Sequence, residues 1–526
     1  MIFEILMKFV TPKFSYYIDK KRSVLSLLFF ISIITNCNSQ TASSPYSRFG
    51  IGDLQYNGFT EIQGMGGASI AVHEPLSINF ANPASYSDLK LTCFEFGGYS
   101  NFTKFESQGF APNTTNSTNI AYVSLGFPII TNKWGASVGI MPYSNVGYKI
   151  SNSDSIPGAN ASANYLYTGS GGINQLYFGN AIKLFKNLSI GCNASYLFGS
   201  IIRQNTAETD IGASYNTRIT NTISVNYFYF NFGLSYTFDS IKMDSCKFYN
   251  NPNKLKAVTK SQGDLDEITV SSDKDSIKIN NKNINVIFNN CEGLEFTSAD
   301  KKYYFINYTK GKLHLDTLKQ IIEKHKVKSD RSFTIGLNGS LNSDVHGQQN
   351  YLVERYTSIG GVIGPHDTIE NNNTNGNIVL PLTIGAGIAY RVGYKFLLDA
   401  DISMQDWSKF TSFGENDQLS NSMKFALGGQ FTPNLFVRKN YLKNISYRFG
   451  AYYSMTFLNL QATQLNDYGV SLGFGLPLYK SVSMVNLSVK AGELGTLSNN
   501  LVREKYVVLS LGFTFNDKWF NHYKFN

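Results

Sequence analysis

Most of the chain beyond about residue 91 consists of runs in which apolar residues alternate with small or polar ones. In 467–478, for example, Val470, Leu472 and Phe474 lie on one side, and Gly, Ser and Gly lie between and beyond them. A period of two predicts β-strands with two different faces. The second face is mostly Gly, Ser, Thr and Asn rather than Lys, Glu and Arg, so we expect it to face a filled, enclosed space and not bulk water.

About fourteen such runs follow one another, and an even number is what a closed bacterial barrel needs. Charged residues make up only 16% of the chain, against 45 Gly, 39 Phe and 33 Tyr. The chain also lacks an apolar run of about 18 residues, the length that a membrane-spanning helix requires. The predicted fold class is all-β, a transmembrane antiparallel β-barrel of about fourteen strands.

The first 39 residues have the pattern of a secretory signal peptide. Basic residues at 20–22 precede a short apolar run at 24–34, and small residues stand before a cleavage point after Ser39. Export of a β-barrel indicates the outer membrane of a Gram-negative cell. An alternative is a lipoprotein acylated at Cys37, although Asn36 stands where a small residue is expected.

Residues 40–90 are the first long stretch of the mature chain without alternation. They are rich in glycine, including Gly64, Gly66 and Gly67, and end on Asn82-Pro83-Ala84 just before the first predicted strand. An irregular backbone persists only where its polar groups find partners, so we expect this stretch to be a hatch inside the barrel lumen. The alternative is an N-terminal loop or linker.

One connection is unusually long and charged. Residues 241–330 hold 16 Lys or Arg and 12 Asp or Glu, and by strand parity they lie on the periplasmic side. Within them, 284–288 and 302–308 are predicted strands, and 315–326 is a predicted amphipathic helix, so the insert is expected to be a small α+β module. It is either a docking surface for another envelope protein or a functionally silent insertion.

The same parity predicts long external loops at 146–171, 203–222 and 344–376. The predicted layout is therefore a signal peptide (1–39), a hatch (40–90), barrel strands one to six (91–240), the charged insert (241–330), strands seven to fourteen (331–516) and a C-terminal tail (517–526).

Residues with reactive or ligating side chains do not form a catalytic pattern. Of the five cysteines, Cys246 and Cys291 of the insert are candidates for a disulfide, the alternative being two free thiols. No two cysteines have metal-site spacing, and none of the six histidines lies on a predicted strand. We therefore expect no enzyme activity, cofactor or metal, and the net charge of +9 does not predict nucleic-acid binding.

A glycine-rich hatch that ends in Asn82-Pro83-Ala84 and precedes fourteen strands resembles the FadL-type outer-membrane transport family for long-chain fatty acids and other hydrophobic compounds. The opening Ser44-Pro45-Tyr46-Ser47-Arg48-Phe49-Gly50 resembles the version found in Bacteroidetes-type bacteria. This resemblance covers the mature chain except 241–330.

The resemblance implies uptake of a hydrophobic, fatty-acid-like molecule into the lumen, followed by sideways release into the outer-membrane lipid through a kink of the third strand. Here the third strand carries Gly135, Gly139 and Pro142, and Pro cannot complete a ladder. A bulge that opens nothing is the alternative. Some relatives with fourteen strands serve protein secretion instead, and under that alternative the barrel is a partner in an envelope secretion or assembly complex, with 241–330 as its docking module.

Overall fold

The computed structural model describes residues 44–518 except 56–57, 157–160, 210–213, 251–268, 271–275, 280–281, 289–293, 298–302, 310–311, 360–361, 435–440 and 479–480. The predicted signal peptide lies outside this range. Side chains of 239–330 are likewise outside the described set. Within the described residues, no helix is both long and apolar enough to cross a membrane.

The chain begins with a segment of short elements, Ser44–Leu89, which we call the N-terminal segment. It contains a two-residue strand β1 (Asp53–Leu54), a one-turn helix α1 (Thr60–Gln63) and two 3₁₀ turns (Pro45–Arg48 and Pro83–Asp88). Asn82 caps the second turn through its side chain, and Pro83 at the first position has the fixed φ that a helix start needs.

Six long antiparallel strands follow, each paired with the next. They are β2 (Thr92–Glu106), β3 (Asn113–Ile130), β4 (Trp134–Ser155), β5 (Ser162–Lys183), β6 (Leu188–Thr209) and β7 (Tyr215–Asn250). We call the end of the sheet that carries the tight turn Thr131–Lys133 the turn end, and the opposite end the hairpin end.

Residues 239–332 form a compact unit of their own. Its short strands are β8 (Thr269–Val270), β9 (Ser276–Ile279), β10 (Lys282–Phe288), β11 (Leu294–Thr297) and β12 (Tyr303–Thr309), and β12 pairs with β13 (Lys312–Ser340). The predicted strands at 284–288 and 302–308 match β10 and β12. The predicted helix at 315–326 is wrong, because Leu315 and Thr317 lie in the ladder opposite Ile306 and Tyr304. Pairing with β12 outweighs a local apolar spacing that suits a helix.

The second half of the wall begins with the last residues of β13. It continues with β14 (Ser343–Ile359), β15 (Val362–Leu380), β16 (Thr383–Val392), β17 (Phe396–Gln405), β18 (Ser422–Phe431), β19 (Ser446–Leu460), β20 (Thr463–Pro477), β21 (Met484–Gly495) and β22 (Arg503–Asp517). β13 and β14 together occupy one strand position of the barrel wall, because β7 pairs with both of them. β15 and β16 together occupy the next position, because β15 pairs with β14 and β16 pairs with β13. β22 pairs with β2, and the barrel closes with fourteen strands.

The predicted barrel is confirmed, whereas the described residues of the predicted external loops lie largely in strands. The ladders of β4 with β5 and of β14 with β15 extend to Ser155↔Ser162 and Ile359↔Val362. These parts are rich in Asn, Ser and Thr on both faces, so they lack the alternation that marks a strand against lipid. Pairing in the hairpin satisfies their backbone groups all the same.

The two faces of the wall differ as the sequence pattern predicts. On β7, Phe228, Phe230 and Phe232 are 46–57% exposed, while Tyr229 between them is 5% exposed. Similar large apolar side chains cover the outer face of the other strands. So large an apolar belt is unfavourable in water and indicates contact with lipid.

Candidate functional site

The inward face of the wall is built around the N-terminal segment. A Cβ on Gly135 would lie 1.9 Å from the carbonyl oxygen of Tyr86, and one on Gly336 would lie 2.1 Å from that of Ile70. A side chain at either wall position would collide with the segment's backbone. The small residues of the inner face are therefore what allows this close approach.

The predicted hatch residues Asn82, Pro83 and Ala84 lie against the β6–β7 wall. The Asn82 amide donates to the carbonyl of Ile70 at 2.7 Å, and its oxygen accepts from the Ala84 N–H at 3.1 Å. All three are buried, and a Cβ on wall residue Gly233 would meet the Asn82 oxygen at 2.1 Å. The tripeptide is therefore both a cap and a packing contact.

Of the other predicted hatch residues, Gly64 and Gly66 lie against a different part of the wall, near Gly473 and Ala451. Gly67 follows in the same turn, where its N–H donates to the carbonyl of Ile62 at 3.0 Å. Gly66 has φ of +67° and donates its N–H to the Ser471 hydroxyl at 2.7 Å. A Cβ on Gly66 would meet the Ala451 backbone at 2.7 Å. Glycine is thus required here both for the left-handed conformation and for the close approach.

Carboxylates fasten the segment to several strands. Asp401 of β17 accepts the N–H groups of Ser69 and Ile70 at 2.6 and 2.9 Å. Glu95 of β2 accepts the N–H of Ile78 at 2.7 Å. Backbone amides held by carboxylates on separate strands leave this part of the segment little freedom to move.

Ion pairs add to this attachment. Glu61 of α1 lies 3.4 Å from Arg448 of β19, and both side chains are at most 10% exposed. Burial raises the pKa of Glu61, and the Arg448 charge opposes that rise. A buried pair of this kind is costly to break from one side, since the remaining charge is left without a partner.

Asp88 marks the end of the segment, where it contacts both His73 and Lys183 of β5. The His73 Nδ1 lies 2.6 Å from the carboxylate, and the Lys183 ammonium forms a second ion pair with it. Burial raises the pKa of Asp88, but the His73 hydrogen bond and the two nearby basic groups outweigh it, so the pKa is below its ordinary value.

β3 and β4 separate part of the way along the wall. Their ladder ends at the pair Val123↔Ile140, although β4 continues to Ser155. Beyond that pair, β1 of the N-terminal segment lies on this side of β4, with Leu54 opposite Ser144. The Gln55 N–H also donates to the carbonyl of Tyr143 at 3.0 Å. We call Asp53–Gln55 the cover segment, since it lies along an edge that β3 has left.

Burial on the two strands reflects this separation. On β4, Ser144, Val146, Gly147 and Tyr148 are buried although neighbours in a strand face opposite ways, so β4 bends into the lumen. On β3, by contrast, residues 118–120 are all exposed, and Ile120 is 65% exposed. Both faces of β3 are therefore open at the level where both faces of β4 are covered.

The predicted kink residues of the third strand take different places. Pro142 lies two residues beyond the last β3–β4 pair and next to a β-bulge in the β4–β5 ladder. Gly135 and Gly139 lie within the paired part of the strand. Gly135 packs against the backbone carbonyl of Tyr86, and a Cβ on Gly139 would meet the Tyr177 ring at 2.7 Å. Pro142 alone of the three is at the separation.

Apolar side chains fill the lumen beside the cover segment. Leu54 packs against a buried cluster that includes Tyr46, Ile51 and Trp407. Most of the cluster comes from wall strands, namely Val146, Ile173, Leu197, Ile201, Ile223, Val225, Val345, Ile378, Leu380, Leu458 and Leu465. The interior of a water-filled barrel is polar, so this layer is unsuited to ions and suited to apolar molecules.

The described cysteines and possible metal ligands do not form a site of their own. Cys93 and Cys192 are free thiols, and the candidate disulfide between Cys246 and Cys291 lies outside the residues whose side chains are described. Among those that are described, no group of three or more His, Cys, Asp or Glu is placed to hold a metal ion.

The sequence reasoning missed the wall partners of the segment. Arg448 and Glu95 lie on strands whose inner face otherwise carries small or neutral residues, and Asp401 shares the inner face of β17 with the buried Asp399. A charge at an inward position of a barrel strand is costly unless it is paired. A charged residue at an inward position of a predicted strand was therefore the sequence feature that could have identified these anchor residues.

Several solved structures match the chain at low sequence identity. The monoaromatic hydrocarbon channel CymD is 12% identical with a TM-score of 0.47, covering 90% of this chain and 100% of its own. The toluene transporter TodX of P. putida is 12% identical with a TM-score of 0.49, covering 88% and 100%. A Pseudomonas aeruginosa FadL homologue is 11% identical with a TM-score of 0.44, covering 89% and 99%. At these values the likenesses are too remote to indicate a function.

No curated protein matches the chain. The family described as BamG matches residues 20–299 and 288–526, which together take in almost the whole sequence. The match includes the N-terminal segment, the insert and every barrel strand. The chain therefore belongs to the BamG family.

Proposed function

We propose that this protein carries hydrophobic small molecules of fatty-acid-like character across the outer membrane, with the N-terminal segment as a hatch and with release sideways between β3 and β4. The observation that carries the proposal is the separation of these strands at Ile140, together with the cover segment that replaces β3 beside β4. In this proposal a molecule leaves the lumen through the wall at this level and enters the surrounding lipid.

The chemistry of the lumen beside the opening supports a hydrophobic cargo. The apolar layer that packs on Leu54 lines the inner end of the proposed route. A polar solute would lose its hydration there without gaining hydrogen bonds, at a cost of several kcal/mol per group. An apolar solute gains about 25 cal/mol for each Å² removed from water.

In this proposal the cover segment is the part of the hatch that moves. Residues 58–89 are held by the carboxylate and ion-pair contacts described above. Asp53–Gln55 meets β4 through a two-pair ladder and one further backbone hydrogen bond, and the Gln55 side chain accepts from the Tyr99 hydroxyl of β2 at 2.8 Å. At about 1 kcal/mol per hydrogen bond, with about 1 kcal/mol more for Leu54 packing, opening costs about 5 kcal/mol. The cover would then be open in on the order of one molecule in several thousand.

Uptake of N-phenylnaphthylamine, a hydrophobic fluorophore, tests the proposal in cells that produce or lack the protein. We expect faster uptake in producing cells and no change in entry of nitrocefin, a polar probe. Leu54→Ala weakens the cover and should speed uptake severalfold. Leu494→Ala is the matched control, since Leu494 packs on the same cluster from β21. Equal uptake with and without the protein would overturn the transport proposal.

The alternative role as a partner in an envelope secretion or assembly complex, with 241–330 as docking module, stays a prediction. The insert's side chains lie outside the described residues, so nothing in the structure bears on what it contacts. Deletion of 251–310 with unchanged probe uptake would separate that role from transport.

A further inference from the structure

A second feature lies on the outer face of the wall, away from the lumen. A groove with a volume of about 950 Å³ crosses β2, β3, β20, β21 and β22 near the hairpin end. Its apolar part includes Phe102, Val470 and Val507, which are 40–61% exposed. Ala491 lies opposite both Val470 and Val507, and its small side chain leaves the space between them.

Two lysines border this apolar part on the side of the hairpin end. Lys104 and Lys505 lie directly opposite one another on β2 and β22, and their side chains are 48% and 45% exposed. Like charges in opposite positions of a ladder destabilise it. Their presence here indicates that something offsets the repulsion.

Part of that offset comes from Glu106, which lies 2.8 Å from the Lys104 ammonium and 3.2 Å from that of Lys505. The same carboxylate also accepts two hydrogen bonds from Arg503, at 2.6 and 3.0 Å. Glu493, opposite Lys505, accepts from the Tyr468 hydroxyl at 3.1 Å. Three cations thus share two carboxylates, and the local charge stays positive.

We propose that this groove binds an anionic membrane lipid, with an acyl chain along the apolar part and the phosphate of the headgroup at Lys104 and Lys505. The cations lie two residue pairs beyond Phe102↔Val507, on the same face of the wall and at the boundary between the apolar outer belt and the polar hairpin end. A lipid phosphate lies at this same boundary of a bilayer. Long lysine side chains are suited to it, because their stems cover apolar surface while their charges reach the headgroup.

The groove is adjacent to the proposed route but does not depend on it. Its β3 side is formed by 114–116, on the part of β3 that has left β4. A lipid here would also fill the outer surface beside the opening. Lipid binding can therefore be measured whether or not the protein transports anything.

The test is native mass spectrometry of the purified full-length protein after exchange into mixed micelles that contain equal amounts of phosphatidylglycerol and phosphatidylcholine. We expect retained phosphatidylglycerol in excess. The double variant Lys104→Gln with Lys505→Gln should lower that retention by about fivefold per lysine removed. The control double variant, Lys133→Gln with Lys149→Gln, removes the same charge from exposed positions elsewhere and should retain lipid as the wild type does.

Ala491→Trp fills the groove without changing its charge and should also release the lipid. Heat-modifiable migration on gels verifies that each variant is a folded barrel. Displacement of the bound lipid by inorganic phosphate alone would mean that the lysines recognise phosphate and not a membrane lipid, which overturns the proposal. Equal retention of the two lipids, or retention unchanged in the Lys104→Gln with Lys505→Gln variant, would overturn it as well.

Discussion

A reversible crosslink between the cover segment and β4 is the most direct perturbation of the proposed route. Leu54 and Ser144 are opposite one another in an antiparallel pair, for which Cα atoms lie about 4.5–5.5 Å apart. That separation is within the range for a disulfide. Leu54→Cys with Ser144→Cys should therefore form one on mild oxidation with little change in the backbone.

The expected size of the effect follows from the hydrogen bonds of the cover. An opening cost of about 5 kcal/mol lets the cover open in about one molecule in several thousand, whereas a covalent bond to β4 prevents it. A preparation that is about nine-tenths crosslinked should then retain about one tenth of the uptake. Reduction with dithiothreitol should restore the remainder.

The assay is N-phenylnaphthylamine uptake by cells, with the crosslinked fraction read from the same samples by mass spectrometry. Each single-cysteine variant reports any effect of the free thiols Cys93 and Cys192. Ser200→Cys with Ser224→Cys is the matched control, because these hydroxyls lie 2.9 Å apart on β6 and β7 and their crosslink joins wall to wall. Unchanged uptake by a fully crosslinked protein would refute release past the cover segment.

Three further predictions concern the attachment of the N-terminal segment. Arg448→Ala leaves Glu61 buried without its partner and should lower the free energy of unfolding by about 3–5 kcal/mol, measured by urea denaturation in detergent. Gly233→Val forces a side chain into Asn82 and should cost about 1–3 kcal/mol or expel the segment, seen as faster proteolysis of 44–89. The pKa of Asp88 is below its ordinary value, so the ionised carboxylate stabilises the fold at pH values above the ordinary carboxyl range. This stabilisation is lost as the pH falls below that range. Asp88→Asn should therefore cost about 1–3 kcal/mol at pH 7 and change less than wild type between pH 5 and pH 3.

Matched controls exist for the first two of these variants. Arg355→Ala removes an arginine whose ion pair with Asp367 is exposed, and it should cost less than about 1 kcal/mol. Gly98→Val adds a side chain whose Cβ meets only the Asn119 oxygen, at 3.1 Å. If a variant and its control lost equal amounts of stability, the anchoring roles of Arg448 and Gly233 would be contradicted. If the stability of wild type and of Asp88→Asn changed in parallel with pH, the anchoring role of Asp88 would be contradicted.

The architecture could be predicted from the sequence because the pattern that specifies it is local. Apolar and small residues alternate with a period of two on a lipid-facing strand. Each lipid-facing strand from β2 to β22 can therefore be predicted from its own local sequence. The glycines and serines of the inner face indicated that the lumen is filled. Asn82-Pro83-Ala84 marked the place where the segment meets the wall. Pro142 marked the strand in which the ladder fails.

Other features could not be predicted, because their cause lies in a distant part of the chain. Residues 315–326 carry apolar side chains at helical spacing, yet they belong to a strand that pairs with β12. Residues 344–376 have no two-faced pattern because both faces are largely polar, yet backbone pairing places their described part in strands. Such pairing depends on partners that a local pattern does not name.

The sequence by itself determined that the chain forms a barrel, how many strands it has and which face of each strand is apolar, since these depend on residue spacing alone. The tertiary structure decided where β3 and β4 separate, which residues cover the exposed edge and which wall carboxylates and cations hold the N-terminal segment. Leu54 and Ser144 are 90 positions apart in the sequence, and Glu61 and Arg448 are 387 apart. Contacts of this range form only once closure of the barrel has brought the strands around the segment.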